Sequence, residues 1–346
     1  MSGNASVALG AGAERSFGPF ASRGHRSRYL VMVVSLVAAA VAVTLLLMSW
    51  GNQYEWLSER WWRISKMRVT SIVVIATVTF AQAMATVTFQ TVTNNRIITP
   101  SIMGFESLYR VVQTGAVFAL GTAGVTALQG VWQFVGQVVL MVAFAALLYG
   151  WLLSGRNANL HVMLLVGIVL GGGLSALATF LQRMLTPTEF DVLTARLIGS
   201  LANADPSYLA VSIPLAATAG GLLWLGAGRL NVLALGRETA INLGVPHRRQ
   251  TIVVLLLVSV LMAVSTSLIG PMTFFGFLVA MSAYQLADTH DHRYLFPVAW
   301  LAGIVVLGGA YFVLRNVFYA QGAVGIIIEI VGGTLFLAHL LRKGRL

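Results

Sequence analysis

Long apolar blocks without a charged residue alternate with short polar gaps along almost the whole chain. Seven blocks contain no Asp, Glu, Lys or Arg, and an eighth, residues 316–341, contains only Glu329. The charge-free blocks are residues 29–54, 69–95, 111–155, 157–182, 206–228, 250–287 and 294–314. A helix crosses the hydrocarbon core of a bilayer with about 20 apolar residues. Each block is therefore long enough for at least one membrane-spanning helix.

Two of the blocks are long enough for two crossings each. Residues 111–155 would form a single helix of roughly 68 Å at 1.5 Å per residue, so we expect a turn near residues 121–130. Residues 250–287 contain Gly270-Pro271 near their centre, a pair that breaks helices. The pattern thus predicts an all-α, polytopic membrane protein of about ten transmembrane helices. Continuous apolar runs argue against a membrane β-barrel, whose strands alternate apolar and polar residues.

The composition agrees with a membrane protein and excludes several other classes. Hydrophobic residues make up 58% of the chain and charged residues 10%, with a mean hydropathy of +0.83, which rules out an ordinary soluble protein. The net charge of +11 does not indicate nucleic-acid binding, because the basic residues lie in short gaps between apolar blocks. The absence of cysteine excludes disulfides, thiolate metal sites and cysteine catalysis.

Lysine and arginine are unevenly distributed between alternate loops, and this bias predicts the orientation in the membrane. With ten spans, one side holds 15 of the 22 basic residues and the other side holds the remaining 7. The richer side is predicted to be cytoplasmic, and it includes both termini. Residues 1–28 are then predicted to be a disordered cytoplasmic tail, and residues 29–346 a single ten-span transmembrane domain.

The chain lacks the motifs of common enzymes and the buried charges of ion-driven carriers. It contains no P-loop, no Gly-x-Ser-x-Gly elbow and no His-Glu-x-x-His motif, so we expect no enzymatic activity and no cofactor. His290 and His292 have a spacing that suits a metal, but a solvated turn is the favoured interpretation and we expect no metal site. Proton- and sodium-driven carriers place ionisable groups deep in the membrane. Their scarcity here favours transport that is powered from outside the chain.

Two polar segments carry a resemblance to a known family. The segment Leu230–Arg249 reads LNVLALGRETAINLGVPHRR, and residues 89–109 read FQTVTNNRIITPSIMGFESLY. Both resemble segments of the FecCD-type permeases, the membrane subunits of bacterial ABC importers for iron–siderophores, haem and cobalamin. The second segment is most similar to the branch that serves catecholate and petrobactin-type siderophores. The resemblance runs from about residue 60 to the C-terminus, and Arg110 departs from it.

The resemblance implies a BtuC-like ABC importer permease fold and a function in the uptake of an iron(III)–siderophore complex. A cobalamin or haem permease of the same fold is the alternative within the family, and an ion-coupled secondary transporter is the alternative outside it. The implied partners are a cytoplasmic ABC ATPase, a second permease, and a periplasmic or lipoprotein substrate-binding protein. The second permease is expected to be a paralogue, with an identical copy as the alternative. Ferric siderophore and membrane lipid are the other expected partners, and nucleic acid is not.

The segment Leu230–Arg249 contains the candidate contact with the ATPase. Gly236 and the run Gly244-Val245-Pro246 bracket a helix-prone stretch, so a short helix between two turns is predicted. On its pattern alone this stretch would be an ordinary solvated loop, whereas the resemblance implies a cytoplasmic coupling segment, residues 230–249. The residues expected to act in ATPase coupling are Gly236, Arg237, Glu238, Asn242, Leu243 and Gly244.

Basic residues on the predicted outer face and one carboxylate inside the membrane are the other candidates. The outer basic residues are Arg63, Lys66, Arg68 and Arg315. Basic residues at span ends often snorkel to lipid headgroups, whereas the resemblance implies that these four receive acidic side chains of the binding protein. A carboxylate at the centre of a span costs on the order of 2.5–3.5 kcal/mol. Glu329 is therefore assigned either a structural hydrogen-bonding role or a pathway or gating role.

Overall fold

The architecture is entirely helical in the described part of the chain. The computed structural model describes residues 18–20, 22–55, 57–154, 160–319 and 323–343. These residues form thirteen α-helices, three short 3₁₀ turns and no strand. The helices are α1 (Arg23–Ser49), α2 (Glu59–Val92), α3 (Phe105–Ala127), α4 (Val131–Ser154), α5 (Leu160–Gln182), α6 (Pro187–Leu197), α7 (Leu209–Leu225), α8 (Ala227–Leu233), α9 (Arg237–Asn242), α10 (His247–Ile269), α11 (Phe275–Ala287), α12 (His292–Asn316) and α13 (Val324–Lys343). The 3₁₀ turns are Pro100–Met103, Leu201–Asn203 and Pro206–Tyr208. The predicted all-α class is confirmed.

Each predicted span corresponds to one helix of the bundle. By length and composition, seven helices of the described chain are able to cross a membrane: α1, α2, α4, α5, α7, α10 and α12. The remaining predicted spans correspond to α3, with 23 residues, and to the shorter apolar helices α11 and α13. The multi-pass membrane architecture is therefore confirmed, with ten as an approximate number of spans.

Both predicted double crossings turn at glycines. The backbone of α3 leaves helical geometry at Gly121, where φ is 66°, and α4 begins directly after Gly130. α10 ends at Ile269, and Gly270 follows with φ of 92°, in the left-handed region that favours glycine. Pro271 comes next, and a non-helical connection leads to α11. The glycine and proline positions thus identified both breaks correctly.

The N-terminal tail is shorter than predicted. α1 begins at Arg23, because the Ser22 hydroxyl accepts a hydrogen bond from the backbone of the first turn at 3.1 Å. Phe20 packs edge-on against Tyr294 of α12, with ring centroids 4.9 Å apart. The Tyr29 hydroxyl donates to the carbonyl of Tyr294 at 2.9 Å. The predicted extent of the tail was wrong for residues 23–28, which belong to α1, while residues 1–17 lie outside the described part of the chain.

The central helix of the bundle is α2. It packs against α7, α10, α11 and α12, and its buried residues are polar as well as apolar. The Gln82 amide donates to Ser265 Oγ of α10 at 3.1 Å, which pairs two buried polar groups. Trp300 Nε1 of α12 donates to the carbonyl of Ala76 at 3.0 Å. These hydrogen bonds fix α2 to helices on two sides of it.

Gly276→Ala is expected to lower the thermal stability of the detergent-solubilised protein. The added methyl group would overlap Thr86 Oγ1 and lie 3.2 Å from Gln82 Oε1, both on α2. Overpacking costs about 1–3 kcal/mol, more than the roughly 1 kcal/mol that alanine gains over glycine in a helix. Gly309→Ala is the matched control, because an added Cβ there meets no described atom within 4 Å. Equal midpoints of thermal unfolding for the two variants would contradict the close packing of α11 on α2.

Candidate functional site

The connection between α7 and α10 forms a compact hairpin built from α8 and α9. Gly236 and Gly244 bracket α9, with φ of 92° and 80°. An added Cβ at either glycine would meet no described atom within 4 Å, so backbone conformation and not space requires glycine there. The backbone N–H of Val245 donates to the carbonyl of Ala240 at 2.9 Å and closes the second turn. The predicted short helix between two turns is confirmed.

The surface of this hairpin mixes apolar and charged side chains. The exposed apolar residues are Leu235, Ile241 and Leu243, at 59%, 52% and 59% exposure. The polar residues predicted to act in coupling are exposed as well: Arg237, Glu238 and Asn242. Ala240 is fully buried and fixes α9 to the rest of the chain. The six predicted coupling residues therefore lie together at one surface, and exposed apolar side chains rimmed by polar ones are typical of a protein contact.

Hydrogen bonds connect this hairpin to the central helix. Asn231 Oδ1 of α8 accepts from the backbone N–H of His292 at 3.1 Å and lies 2.5 Å from His292 Nδ1. The Asn231 amide nitrogen donates to Asp291 Oδ1 at 3.0 Å, which fixes the orientation of the amide. On the other edge of the imidazole, Nε2 lies 2.6 Å from Thr91 Oγ1 of α2. Because an amide oxygen only accepts, His292 Nδ1 carries the proton. The Thr91 hydroxyl, which contacts Nε2, also donates to the carbonyl of Val87 at 2.8 Å.

Sequence analysis missed this network of side chains. We term it the polar relay, and it consists of Asn231, His292 and Thr91. His290 is exposed, in agreement with a solvated turn, but His292 is only 3% exposed, so that interpretation was wrong for this histidine. His292 and Thr91 are separated by 201 residues, and no local pattern pairs residues at that distance. The available signal was a histidine at the first position of an apolar span.

A cavity of about 980 Å³ opens beside the polar relay. Its walls come from the end of α2, from α8, from the turn before α12 and from the N-terminal segment. The Thr289 hydroxyl donates to the carbonyl of Pro19 at 2.9 Å and holds that segment against the turn. The N-terminal segment therefore lies on the same side of the bundle as the α8–α9 hairpin.

The four predicted docking residues lie near the ends of α2 and α12. Arg63 and Lys66 are exposed, and Arg63 pairs with Glu59 at 3.3 Å. Arg315 is also exposed, and its charge acts on Arg68. Arg68 Nη1 donates to the carbonyl oxygens of Leu47, Met48 and Trp50 at 3.2, 3.3 and 2.7 Å. The structure thus brings Arg68 and Arg315 together, but it occupies Arg68 with the C-terminal carbonyls of α1.

The predicted intramembrane carboxylate has a second carboxylate near it. Glu329 lies on the exposed side of α13, and its charge acts on Glu106 in the first turn of α3. Glu106 is 5% exposed and accepts a hydrogen bond from Thr273, which lies 167 residues away in the chain. Sequence analysis did not single out Glu106, because this contact joins distant parts of the chain.

Comparison with known proteins reveals relatives over nearly the whole chain. The model of the FecCD transport family matches residues 29–342. The chain is 44% identical to the petrobactin import system permease protein FatC of Bacillus anthracis over 329 residues, which cover 95% of this chain and 93% of the relative. It is 35% identical to the petrobactin import system permease protein YclO of Bacillus subtilis (strain 168) over 278 residues, covering 80% and 88%.

A solved structure shares the fold. It is a metal-chelate type ABC transporter in an inward-facing conformation, and the TM-score is 0.76 over 90% of this chain and 99% of that chain. The sequence identity is 22%, so this similarity establishes the fold alone. The expected ABC importer permease fold is confirmed.

Proposed function

Because the chain belongs to the FecCD transport family, we propose that it is the membrane-spanning permease subunit of an ABC importer for an iron(III)–siderophore complex. The 44% identity to a petrobactin import permease over 95% of the chain is the observation that carries this proposal. The name of this relative favours a petrobactin-type siderophore as the cargo. The second relative, at 35% identity, is also a petrobactin import permease by name.

Uptake of radiolabelled iron tests the proposal directly. The chain is expressed, with its partner subunits, in a bacterium whose own petrobactin importers have been deleted. We expect uptake of ⁵⁵Fe presented as ferric petrobactin to be restored, and no uptake of labelled cobalamin or haem. Uptake of cobalamin or haem without ferric petrobactin would reject the siderophore and favour the alternative cargo.

The energy for this transport comes from a separate cytoplasmic ABC ATPase. The chain has no P-loop of its own, and the α8–α9 hairpin offers the exposed surface on which the ATPase docks. The polar relay connects that surface to α2, so motion of the ATPase reaches the centre of the bundle. A second permease, a paralogue in our proposal, completes the pathway, and a substrate-binding protein delivers the cargo outside.

The permease lies in the bacterial cell (inner) membrane with both termini and the hairpin in the cytoplasm. This orientation rests on the excess of basic residues on that side. Because the chain has no cysteine, the labelling of a single introduced cysteine reports the orientation without a background from native thiols. Gln53→Cys, in an exposed loop before α2, is expected to react with an impermeant thiol reagent on intact cells or spheroplasts. Thr239→Cys on α9 is expected to react only in opened vesicles, and the reverse pattern would overturn the orientation.

Docking of the binding protein is expected to depend on the four predicted docking residues of the outer face, which do not include Arg60. Arg68 caps α1, so the cleaner test reverses Lys66 and Arg315. Exposed charge pairs act mainly on the rate and register of association, and salt screens them. The variant Lys66→Glu with Arg315→Glu is therefore expected to slow association by about three- to tenfold at low ionic strength, measured by surface plasmon resonance. Arg60→Glu, another exposed basic residue of α2, is the control. Unchanged association at low salt in the double variant would remove these residues from docking.

A further inference from the structure

A cleft opens on the side of the bundle where α7 and α8 face α10. Its volume is about 430 Å³. α7 ends and α8 begins at Gly226, whose φ of −80° and ψ of 5° lie outside the α-helical range and interrupt the helix. Leucine and valine side chains of the three helices form most of the walls, and Arg229 and Gln250 are the polar residues of the lining. The side chains that line the cleft are therefore largely apolar.

The cleft lies at one boundary of the hydrocarbon core. The candidate span Pro206–Leu225 has 20 residues, about the number that crosses the core. Leu222 and Leu225 belong to its last turn, and Arg229 is one turn beyond Leu225. The cleft therefore extends from the level of the lipid tails to the level of the headgroups.

Apolar side chains of the cleft are exposed on the surface of the chain. Leu222, Leu225 and Val253 are 57%, 86% and 44% exposed. The wall that α10 contributes runs from Gln250 to Leu257, which is about 10 Å along the helix axis at 1.5 Å per residue. A groove of this kind that opens on the hydrocarbon is filled most favourably by an acyl chain, because a polar group would find no hydrogen-bond partner there.

Arginine residues lie at the headgroup end of the cleft. Arg229 lines it, and Arg249 is one turn before Val253 on the same face of α10. The Arg293 guanidinium approaches α8 to 4.0 Å from the point that a Cβ of residue 228 would occupy. All three arginines are exposed, and within the described part of the chain none of them forms a salt bridge. Basic pockets between transmembrane helices on the cytoplasmic side bind anionic lipid headgroups, so the charge here is complementary to a headgroup phosphate.

We propose that this cleft binds an anionic glycerophospholipid of the cytoplasmic leaflet. One acyl chain lies between α7 and α10, and the headgroup phosphate lies on Arg229 and Arg249. A neutral lipid would gain the apolar groove without the charge contacts, and a soluble phosphate would gain the charge contacts without the groove. Because α8 forms one wall of the cleft, the bound lipid contacts the α8–α9 hairpin at its membrane end. The choice of leaflet rests on the proposed orientation, whereas binding itself does not.

Native mass spectrometry of the assembled importer tests the charge contacts. The importer is titrated in detergent with phosphatidylglycerol, or with phosphatidylcholine that has the same acyl chains. Arg229→Gln with Arg249→Gln is expected to weaken phosphatidylglycerol binding by about twentyfold, since each basic residue near an anionic headgroup contributes a factor of about five. Binding of phosphatidylcholine is expected to stay unchanged. Arg26→Gln, which neutralises an exposed arginine in the first turn of α1, is the control. An equal loss in the control, or unchanged phosphatidylglycerol binding in the double variant, would overturn the proposal.

A bulky substitution in the cleft tests the position of the acyl chain. Val253→Trp places a large side chain in the groove at a position that is already 44% exposed, so the chain is expected to fold and to lose the bound phosphatidylglycerol. Val34→Trp on α1, at a position that is 67% exposed, is the control and is expected to keep it. Phosphatidylglycerol retained by Val253→Trp would place the lipid outside the cleft and overturn the proposal.

Two further outcomes would assign the cleft to a different occupant. Displacement of bound phosphatidylglycerol by millimolar inorganic phosphate would indicate a site for a soluble anion. Loss of the ATPase from the purified importer in the cleft variants, with lipid binding unchanged, would indicate a protein contact. Either result would overturn the lipid site. All of these measurements are made without cargo, so their outcome is separate from the identity of the transported siderophore.

Discussion

An importer carrying Glu238→Arg together with Leu243→Asp in this chain is expected to hydrolyse ATP while importing no detectable ferric siderophore. Both side chains are exposed on the α8–α9 hairpin, and Leu243 is 59% exposed. Neither substitution removes a described hydrogen bond or a buried apolar group of the permease, so the chain is expected to fold. At a protein interface, however, a buried charge without a partner costs about 2–5 kcal/mol. The contact at this hairpin is therefore expected to weaken, so that ATP hydrolysis by the ATPase no longer drives transport.

Uptake of ⁵⁵Fe in cells and ATP hydrolysis by the purified importer are measured together for this variant. Arg26→Glu is the control, because it reverses an exposed charge of α1 that lies at a distance in sequence from the hairpin. We expect normal uptake in the control. Wild-type uptake in a well-expressed double variant would remove the hairpin from the mechanism.

The spans and their breaks could be predicted because hydropathy and backbone stereochemistry are local properties. Apolar blocks of sufficient length predicted the helices, and Gly270-Pro271 predicted the break between α10 and α11. Gly236 and Gly244 predicted the turns of the hairpin, since both adopt positive φ. The start of α1 was misplaced because it depends on the Ser22 cap and on packing against α12, which hydropathy does not register.

The contacts of the site could not be predicted, because they join residues that are far apart in the chain. Glu106 accepts a hydrogen bond from Thr273, which lies 167 residues away in the chain, and no local pattern around either residue predicts that contact. Arg68 appeared as a free basic residue of the outer face, yet it binds the carbonyl of Trp50, which only the fold brings near. Local sequence thus identified which segments are polar, and the fold determined which of their side chains meet.

His292→Ala is expected to separate ATP hydrolysis from uptake without removing either the hairpin or the ATPase contact. The imidazole is the only member of the polar relay that touches both α8 and α2, through Asn231 and Thr91. Its loss removes the side-chain partner of the Asn231 oxygen, which keeps the backbone N–H of residue 292, and breaks the polar path between hairpin and bundle. We expect the number of ATP molecules hydrolysed per imported siderophore to rise by about tenfold, because a loss of about 1.4 kcal/mol of coupling free energy corresponds to a factor of ten.

The neighbouring histidine provides the control for this prediction. His290→Ala removes an exposed side chain of the same turn, and its ratio of ATP hydrolysis to uptake is expected to match wild type. Asn231→Ala should raise the ratio as His292→Ala does, and the double variant should add little, because residues in one hydrogen-bond network are not additive. A purely structural role for His292 would lower hydrolysis and uptake in proportion and leave the ratio unchanged. That result, or fully additive effects of the two substitutions, would show that coupling does not pass through the polar relay.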